Sequence, residues 1–331
     1  MNYSFVIPIF NRPEEMEELL YSLSKQTYTD YFEVVVVEDG STIDCREVVN
    51  RYSDQLNIAY HYKDNSGPGD SRNYGMKVAK GDYFIILDSD CILPPNYLTE
   101  VHAYLTHNYV DCFGGPDAAH ESFSDVQKAI NQVMTSVLTT GGIRGASEKL
   151  GKFQPRSFNM GISKKAFMES GGFGRIHPGE DPDLSIRLWK LHFKTALITN
   201  AYVFHKRRID WEKFYKQVNK FGKARPILNQ RYPEYNKITY WFPSLFIIGF
   251  CFSVFALFLG IYVFIALYVF YFLALFMQSL VATKSLKISF LTIIASFIQF
   301  FGYGAGFLYS YFLLNIKKED AVEAMPEMFF K

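Results

Sequence analysis

Up to Leu93 the chain alternates short apolar runs with stretches in which apolar positions recur every three or four residues. Ser4-Phe5-Val6-Ile7-Pro8-Ile9-Phe10 predicts a first strand, Phe32 to Glu38 a second, Ile58 to Tyr62 a third and Tyr83 to Leu87 a fourth. Val34 to Val37 is apolar on both faces, the pattern of a central parallel strand. Helices are predicted from Pro13 to about Gln26, around Arg46 to Ser53, and from the Asn65-Ser66-Gly67-Pro68-Gly69 loop to Ala79. The first is expected to be capped by Asn11, with Pro13 in its first turn and Glu14 and Glu15 at the positive end of its dipole. Alternating strands and helices predict an open, mostly parallel α/β sheet, in which ligands bind at the carboxyl ends of the strands. Three polar clusters fall there: Pro8 to Arg12, Glu38-Asp39-Gly40-Ser41 and Asp88-Ser89-Asp90.

The middle of the chain is less regular. Val126 to Leu138 has a helical pattern, Thr140-Gly141-Gly142-Ile143-Arg144-Gly145 reads as a mobile glycine-rich stretch, and Phe158 to Ile162 reads as a strand. Gly171 to Gly174 is a turn, and Glu180, Asp181 and Asp183 occupy the first turn of a further helix. Asp183 and Arg187 lie four apart on it and are expected to pair. From Trp211 to Phe221 the apolar residues Trp211, Phe214, Tyr215, Val218 and Phe221 recur at helical spacing among Lys213, Lys216 and Lys220, which predicts a basic amphipathic helix at a membrane surface. Beyond it the pattern changes in kind. No charged residue occurs from Ile238 to Thr283, nor from Ile288 to Ile316. Since about 20 apolar residues cross a bilayer as a helix, two to three spans are predicted, with Gly260 suited to a turn between the first two.

Composition adds little to this. The formal net charge of +1 over 331 residues indicates no nucleic-acid partner. The Lys206–Arg231 segment is basic, with nine Lys or Arg against two acids, and such a cluster beside a span is expected on the cytoplasmic side, where it meets anionic lipid. The N-terminus enters a strand at once with no basic, apolar leader, so the part ahead of the spans is expected in the cytoplasm. Cys45, Cys91, Cys112 and Cys251 have no disulfide or metal spacing.

Asp88-Ser89-Asp90 follows the fourth strand. Two carboxylates at the end of a parallel strand are hard oxygen ligands suited to a divalent ion, and that ion to a diphosphate. In isolation the same triplet is more often a solvated loop. Its company changes the balance. The segments Ser4 to Arg12, Val36 to Ser41, Gly67 to Asn73, Gly81 to Asp90, Asn159, Gly171-Gly172-Phe173 and Gly179 to Leu188 together, in order and spacing, resemble glycosyltransferase family 2 over roughly residues 3 to 225. The resemblance implies a GT-A fold and an inverting transfer of sugar from a nucleotide donor. It places Pro8, Phe10, Asn11, Asp39, Arg72, Asp88 and Asp90 at the nucleotide-sugar. Asp39 would accept from the uracil N3–H. Asp90 would ligate Mn²⁺ or Mg²⁺ with His205 as a second ligand, and Asp181 would be the catalytic base, with Glu180 and Asn159 secondary. His205 also reads as an ordinary strand-end histidine bonded to backbone. Glu38 stands where the family more often has Asp. Gln217 to Phe221 only faintly echoes the Gln-x-x-Arg-Trp of processive synthases, so single transfers are expected.

The expected organisation is a catalytic domain over 1–208, a basic interfacial helix and linker over 209–237, a membrane region over 238–316 and a polar tail over 317–331. The expected protein is a multi-pass enzyme of the cell membrane with a cytoplasmic catalytic domain, serving polysaccharide biosynthesis. It would glycosylate a lipid-linked or surface glycan, with membrane lipids as further partners. Two alternatives are a transferase that makes a polyprenyl-phospho-sugar and a catalytically silent scaffold of the same shape.

Overall fold

In the computed structural model, residues 1–118, 123–141, 152–205 and 210–330 are described. The glycine-rich stretch from 142 to 145 lies outside them. Packing divides the chain into two units that are not contiguous in sequence. One comprises Met1–His120, Ala146–Lys206 and Phe330–Lys331, and the other Glu121–Gly145 and Arg207–Phe329.

The first unit is built on β1 (Tyr3–Ile9), β2 (Phe32–Asp39), β3 (Asn57–Lys63) and β4 (Tyr83–Leu87), which are parallel and lie in the order β3-β2-β1-β4. The helices between them are α1 (Pro13–Ser24), α2 (Arg46–Tyr52) and α3 (Pro68–Val78). After a two-residue strand, β5 (Cys91–Ile92), and α4 (Tyr97–His107), the sheet is extended by β6 (Cys112–Gly114) and, beyond β7 (Asp117–Ala118), by β8 (Asn159–Ser163) and β9 (Thr195–Leu197). The middle segment also supplies α5 (Asp125–Thr135) and α6 (Val137–Thr140), and, past β8, α7 (Lys164–Ser170) and α8 (Glu180–Lys190). β8 runs antiparallel to β4 and β6, and the full order is β3-β2-β1-β4-β8-β6-β9. A second small sheet joins β5, β7 and β10 (Val203–His205). Both faces of the main sheet are covered, which is why its strands read as continuous apolar runs: Phe5, Ile7, Val34, Val36 and Ile85 point into one core, and Val6, Val35, Val37, Phe84 and Ile86 into the other.

Two local expectations are corrected. Asn11 does not cap α1. Its backbone is left-handed (φ 54°), and its side-chain oxygen accepts from Thr42 N (2.8 Å), Thr42 Oγ1 (3.1 Å) and Ile43 N (3.0 Å). It therefore ties the loop after β1 to the loop after β2. The helix expected over Val126 to Leu138 breaks at Ser136, whose backbone is extended and whose hydroxyl accepts from Leu138 N (3.1 Å), so that it ends α5 and caps α6. The expected Asp183–Arg187 pair is present at 2.8 Å, and Arg187 also donates to Gly172 O (2.6 Å).

The second unit contains α5, α6 and α9 (Trp211–Arg231), followed by α10 (Phe242–Phe258), α11 (Val263–Thr283) and α12 (Leu286–Tyr311). The helical stretches Ile238–Phe258, Val263–Thr283 and Leu286–Ile316 are each long and apolar enough to cross a membrane. They differ in what surrounds them: half of the most apolar window of the third is buried in protein, against 22% and 11% for the first two. The cover on α12 comes from α10 and α11, where Phe300 stacks on Phe246 (4.2 Å) and Phe297 on Phe272 (4.4 Å), and from amphipathic helices on its other side. Ala295 packs with Ile130, Val133 and Met134 of α5 and with Phe214 and Val218 of α9. Further along, α9 lies almost backbone to backbone with α12. A Cβ on Gly222 would sit 2.1 Å from Tyr303 O, and one on Gly306 would sit 2.2 Å from Asn219 O. Asn219 Nδ2 donates to Gly302 O (3.0 Å) and Gln230 Nε2 to Leu314 O (3.1 Å). The apolar face of α9 is thus spent on α12.

Candidate functional site

The three polar clusters gather at the carboxyl ends of β1, β2 and β4, joined by the starts of α3 and α8 and the end of β10. Asp39 closes β2 directly opposite Lys63 of β3, and this register sets Lys63 Nζ 2.7 Å from Asp39 Oδ1. The same carboxylate accepts from the backbone N–H of Ser66 (Oδ1, 2.9 Å) and Gly67 (Oδ2, 3.0 Å) in the turn that opens α3. Glu38, one residue earlier, points to the opposite face and is wholly buried. It accepts from Cys45 N (2.9 Å), Tyr60 OH (3.2 Å) and the Ser41 hydroxyl, so its extra methylene, compared with Asp, is used to reach the start of α2.

Arg72, on α3, is the centre of the charged cluster. It is buried, donates to Asp88 Oδ1 (2.7 Å) and to Glu180 Oε1 (3.3 Å), and lies over the ring of Phe173 (5.3 Å). Its Nε is buried with no hydrogen-bond partner among the described residues. Asp90 is reached differently. The antiparallel register of β10 on β5 sets His205 beside Cys91, and His205 Nε2 comes 3.1 Å from Asp90 Oδ1. The His205 ring is stacked on Phe158 (4.7 Å, 11°), and Arg12 Nη1 stands 3.7 Å from the other Asp90 oxygen. Asp90, Cys91 and His205 have ligand atoms within 4.8 Å of one another. The Cys91 thiol is engaged with Phe158 O (3.3 Å). The carboxylate and imidazole that remain are a donor set fitting a divalent ion of the Mn²⁺ or Mg²⁺ class.

At the head of α8, Glu180 and Asp181 behave oppositely. Glu180 is buried, which would raise its pKa, but the hydrogen bond and charge of His177 (Nδ1 2.9 Å away), with the charge of Arg72, hold it well below the ordinary carboxylate value. Asp181 is pushed up to about 6, by burial first and by the Glu180 charge second, against the opposing pull of Arg72, Arg156 and Ser157. Its Oδ1 is buried without a hydrogen-bond partner among the described residues.

Pro8, Phe10 and Asn159, also expected at the site, carry no charge and take no part in these ion pairs. Asn159 is a buried rivet: its oxygen accepts from Tyr97 OH (2.6 Å) and its nitrogen donates to Ala201 O (2.8 Å). Pro8 is half-buried within β1, and Phe10 is exposed beyond its end. Sequence reading gave no site role to Lys63, Phe158 or His177, and placed Arg12 only within the polar cluster that follows β1. Lys63 was accessible from strand register, because it ends β3 where Asp39 ends β2. Phe158 and His177 carry no signal short of the folded contacts.

A buried arginine–carboxylate cluster beside a carboxylate–imidazole pair, at the carboxyl ends of a mostly parallel sheet, fits the organisation of a GT-A glycosyltransferase. The family model "Glycosyl transferase family 2" matches residues 4–170, half of the chain, and the protein belongs to that family. Among curated relatives, poly(ribitol-phosphate) beta-N-acetylglucosaminyltransferase TarS of Staphylococcus aureus is 33% identical over 114 residues, which are 34% of this chain and 20% of TarS. Glycosyltransferase GlyG of Streptococcus pneumoniae is 32% identical over 110 residues, 33% of this chain and 36% of that protein. The matches thus span a minor part of the relatives' lengths. Among solved structures, S. aureus TarS 1-349 in complex with UDP-GlcNAc superposes with a TM-score of 0.50 at 19% identity, covering 93% of this chain and 91% of that one. Mannosyltransferase PcManGT from Pyrobaculum calidifontis, in complex with GDP-Man and Mn²⁺, gives 0.55 at 15% identity, covering 96% and 88%. At these identities the structural likeness concerns the fold.

The pKa of Asp181 makes a stability prediction. A carboxyl whose folded pKa is about 6 rather than 3.8 binds its proton more tightly in the folded state, so stability falls as pH rises through that window and the full penalty stands above pH 6. Asp181→Asn in the full-length, detergent-solubilised protein is therefore expected to raise the thermal midpoint at pH 7.5 by roughly 5 °C and to leave it unchanged at pH 4. A gain of equal size at both pH values would assign it to packing rather than charge.

Proposed function

We propose that the protein is a membrane-anchored, inverting glycosyltransferase that moves one sugar at a time from a UDP-sugar to a hydroxyl of a lipid-linked or surface glycan. The observation that carries this reading is Asp181: a carboxylate with a raised pKa and an unpartnered, buried oxygen, on the same cluster as Asp88 and Arg72. Transfer with inversion is a single displacement and needs a base to take the acceptor hydroxyl proton as the new bond forms. A pKa near 6 keeps Asp181 largely ionised at neutral pH yet more basic than a free carboxylate. A phosphate acceptor brings its own anionic oxygen and needs no such base, so Asp181 favours a sugar hydroxyl over polyprenyl phosphate. Asp90 and His205 would hold a divalent cation, which, when bound, supplies charge neutralisation to the departing nucleoside diphosphate.

Lone-pair accounting supports a uracil or thymine base over guanine. An ionised carboxylate has about four acceptor positions. Lys63, Ser66 N and Gly67 N occupy three on Asp39, and the remaining one is on Oδ2. One position suits the single imide N–H of uracil, whereas guanine presents two adjacent donors. Calorimetric titration with UDP, dTDP and GDP in Mn²⁺ and in Mg²⁺ tests this. UDP is expected to bind best, and its affinity to fall about tenfold or more in Asp39→Ala and in Asp90→Asn. Asp181→Asn is expected to keep donor binding while slowing transfer by about 10²–10⁴-fold. Preference for GDP would sink the uridine assignment, and no divalent-dependent nucleotide binding at all would favour the silent scaffold.

The packing of α12 supports a particular topology, in which α10 and α11 form the crossing hairpin and α12 lies in the interface. Lysine-bearing α9 and α5, whose Asp125 pairs with Lys287 (2.8 Å), run against α12, and charged helices do not accompany a span through hydrocarbon at low cost. Two crossings also leave the Lys206–Arg231 cluster, Lys284, Lys287, Lys317 and Lys318 on one side, the cytoplasmic one by charge bias. Cys251 is the one exposed cysteine of the four, so Glu323→Cys in a Cys251→Ser background reports the side of the tail. An impermeant maleimide is expected to label it only after the membrane is opened. Labelling in intact cells would mean three crossings.

A further inference from the structure

Phe330 lies far in sequence from every motif discussed above, yet it clusters with the catalytic unit. Its ring rests flat on Gly67. A Cβ at Gly67, whose φ is +92°, would come within 2.4–2.6 Å of the ring atoms Cγ, Cδ1 and Cδ2. The same ring is 5.3 Å from the imidazole of His177, and the Phe330 N–H donates to Arg175 O (2.9 Å).

These contacts fall on two turns that have one thing in common. Gly67 is the residue from which α3 starts, its N–H is bonded to Asp39, and α3 carries Arg72. His177 stands just ahead of α8, is bonded to Glu180, and α8 carries Glu180 and Asp181. One aromatic ring therefore packs against the entries of both helices that supply the charged cluster. α3 is also tied to the loop ahead of α8 by the reciprocal bonds of Asn73 with Phe173 (Nδ2 to O, 2.9 Å; N to Oδ1, 2.8 Å), and to α8 itself by Arg72 with Glu180 (3.3 Å), so the fold does not hang on Phe330 alone.

We propose that Phe330 is a positioning residue for the donor site. It holds the Ser66-Gly67 turn, and through it the Asp39 carboxylate, in the orientation that receives the nucleoside base. The contact is to the backbone of a glycine, which has no side-chain bulk of its own to fix the turn. Truncating the ring frees that turn while leaving Asp39, Arg72 and Asp181 chemically intact. This inference rests on the reading of the cluster around Asp39, Arg72 and Asp90 as a nucleotide-sugar site.

The test uses the full-length protein in detergent with UDP as probe. In Phe330→Ala the dissociation constant for UDP and the KM for the donor are expected to rise about tenfold with kcat changed by less than about threefold, and Phe330→Tyr, which keeps the ring, is expected to restore both. Amide hydrogen exchange read without ligand is expected to speed up at Ser66 and Gly67 in Phe330→Ala. Unchanged binding and exchange would overturn the proposal, leaving the ring a mere surface contact. Tighter UDP binding in Phe330→Ala would overturn it in the other direction, by making the ring an obstruction. Failure of the wild-type protein to bind any nucleotide-sugar would instead strike the donor reading, and the exchange experiment would still decide whether Phe330 orders the turn.

Discussion

A buried guanidinium among carboxylates holds the mouth of this sheet together. Arg72 cannot shed its charge, and taking such a group from water costs several kcal/mol unless partners surround it. Burial would lower its pKa, but Asp88, Glu180 and Asp181 outweigh that and raise it. Those partners come from two places, Asp88 from the end of β4 and Glu180 and Asp181 from the start of α8, while Arg72 itself rides on α3. The ion pairs therefore fix the relative placement of a strand end and two helix starts. They also allow several acids to coexist in a small volume. Glu180 stays ionised beside Arg72 and His177, and its charge, added to burial, is what lifts Asp181 into the range useful for a base.

The second unit has its own constraint, which is close approach. α12 packs against α10 and α11 on one side and against α5 and then α9 on another, and at Gly222 and Gly306 the absence of a side chain lets helix backbones meet. A helix so covered differs from α10 and α11, whose outward residues, such as Phe258, Phe270 and Val281, are exposed large hydrophobics that only lipid would satisfy. Apolar length alone treats the three stretches alike; their neighbours separate them.

Much of the catalytic unit was legible because its signals are local. A doubly buried strand must be apolar throughout, so β1, β2 and β4 declared themselves, and the polar residues that end them could be placed at one edge of the sheet without further information. What was not legible depends on partners distant in sequence. Asn11 looks like a helix cap until Thr42 and Ile43 claim its side chain. Val126 to Leu138 looks like one helix until Ser136 turns out of it, where its hydroxyl also meets Gln278 (2.6 Å). The basic helix α9 shows a lipid-facing pattern, yet its apolar stripe meets protein. Asn159, in the family's motif, bonds to Tyr97 and Ala201, contacts that only the fold brings together. His205 could be placed beside Asp90 only through the family resemblance, since their nearness follows from the pairing of two very short strands that no propensity would announce.

The central claim is that the Arg72 cluster tunes Asp181 to serve as the base of a glycosyl transfer. The pH dependence of the transfer rate in wild type and Arg72→Met tests it most directly. In wild type the rate should fall as pH drops through about 6, as Asp181 takes up its proton. Removing the guanidinium withdraws a charge that holds that pKa down, so the residual activity of Arg72→Met should lose its acid limb at a higher pH. An acid limb at the same pH in both proteins, or none near 6 in the wild type, would contradict the assignment.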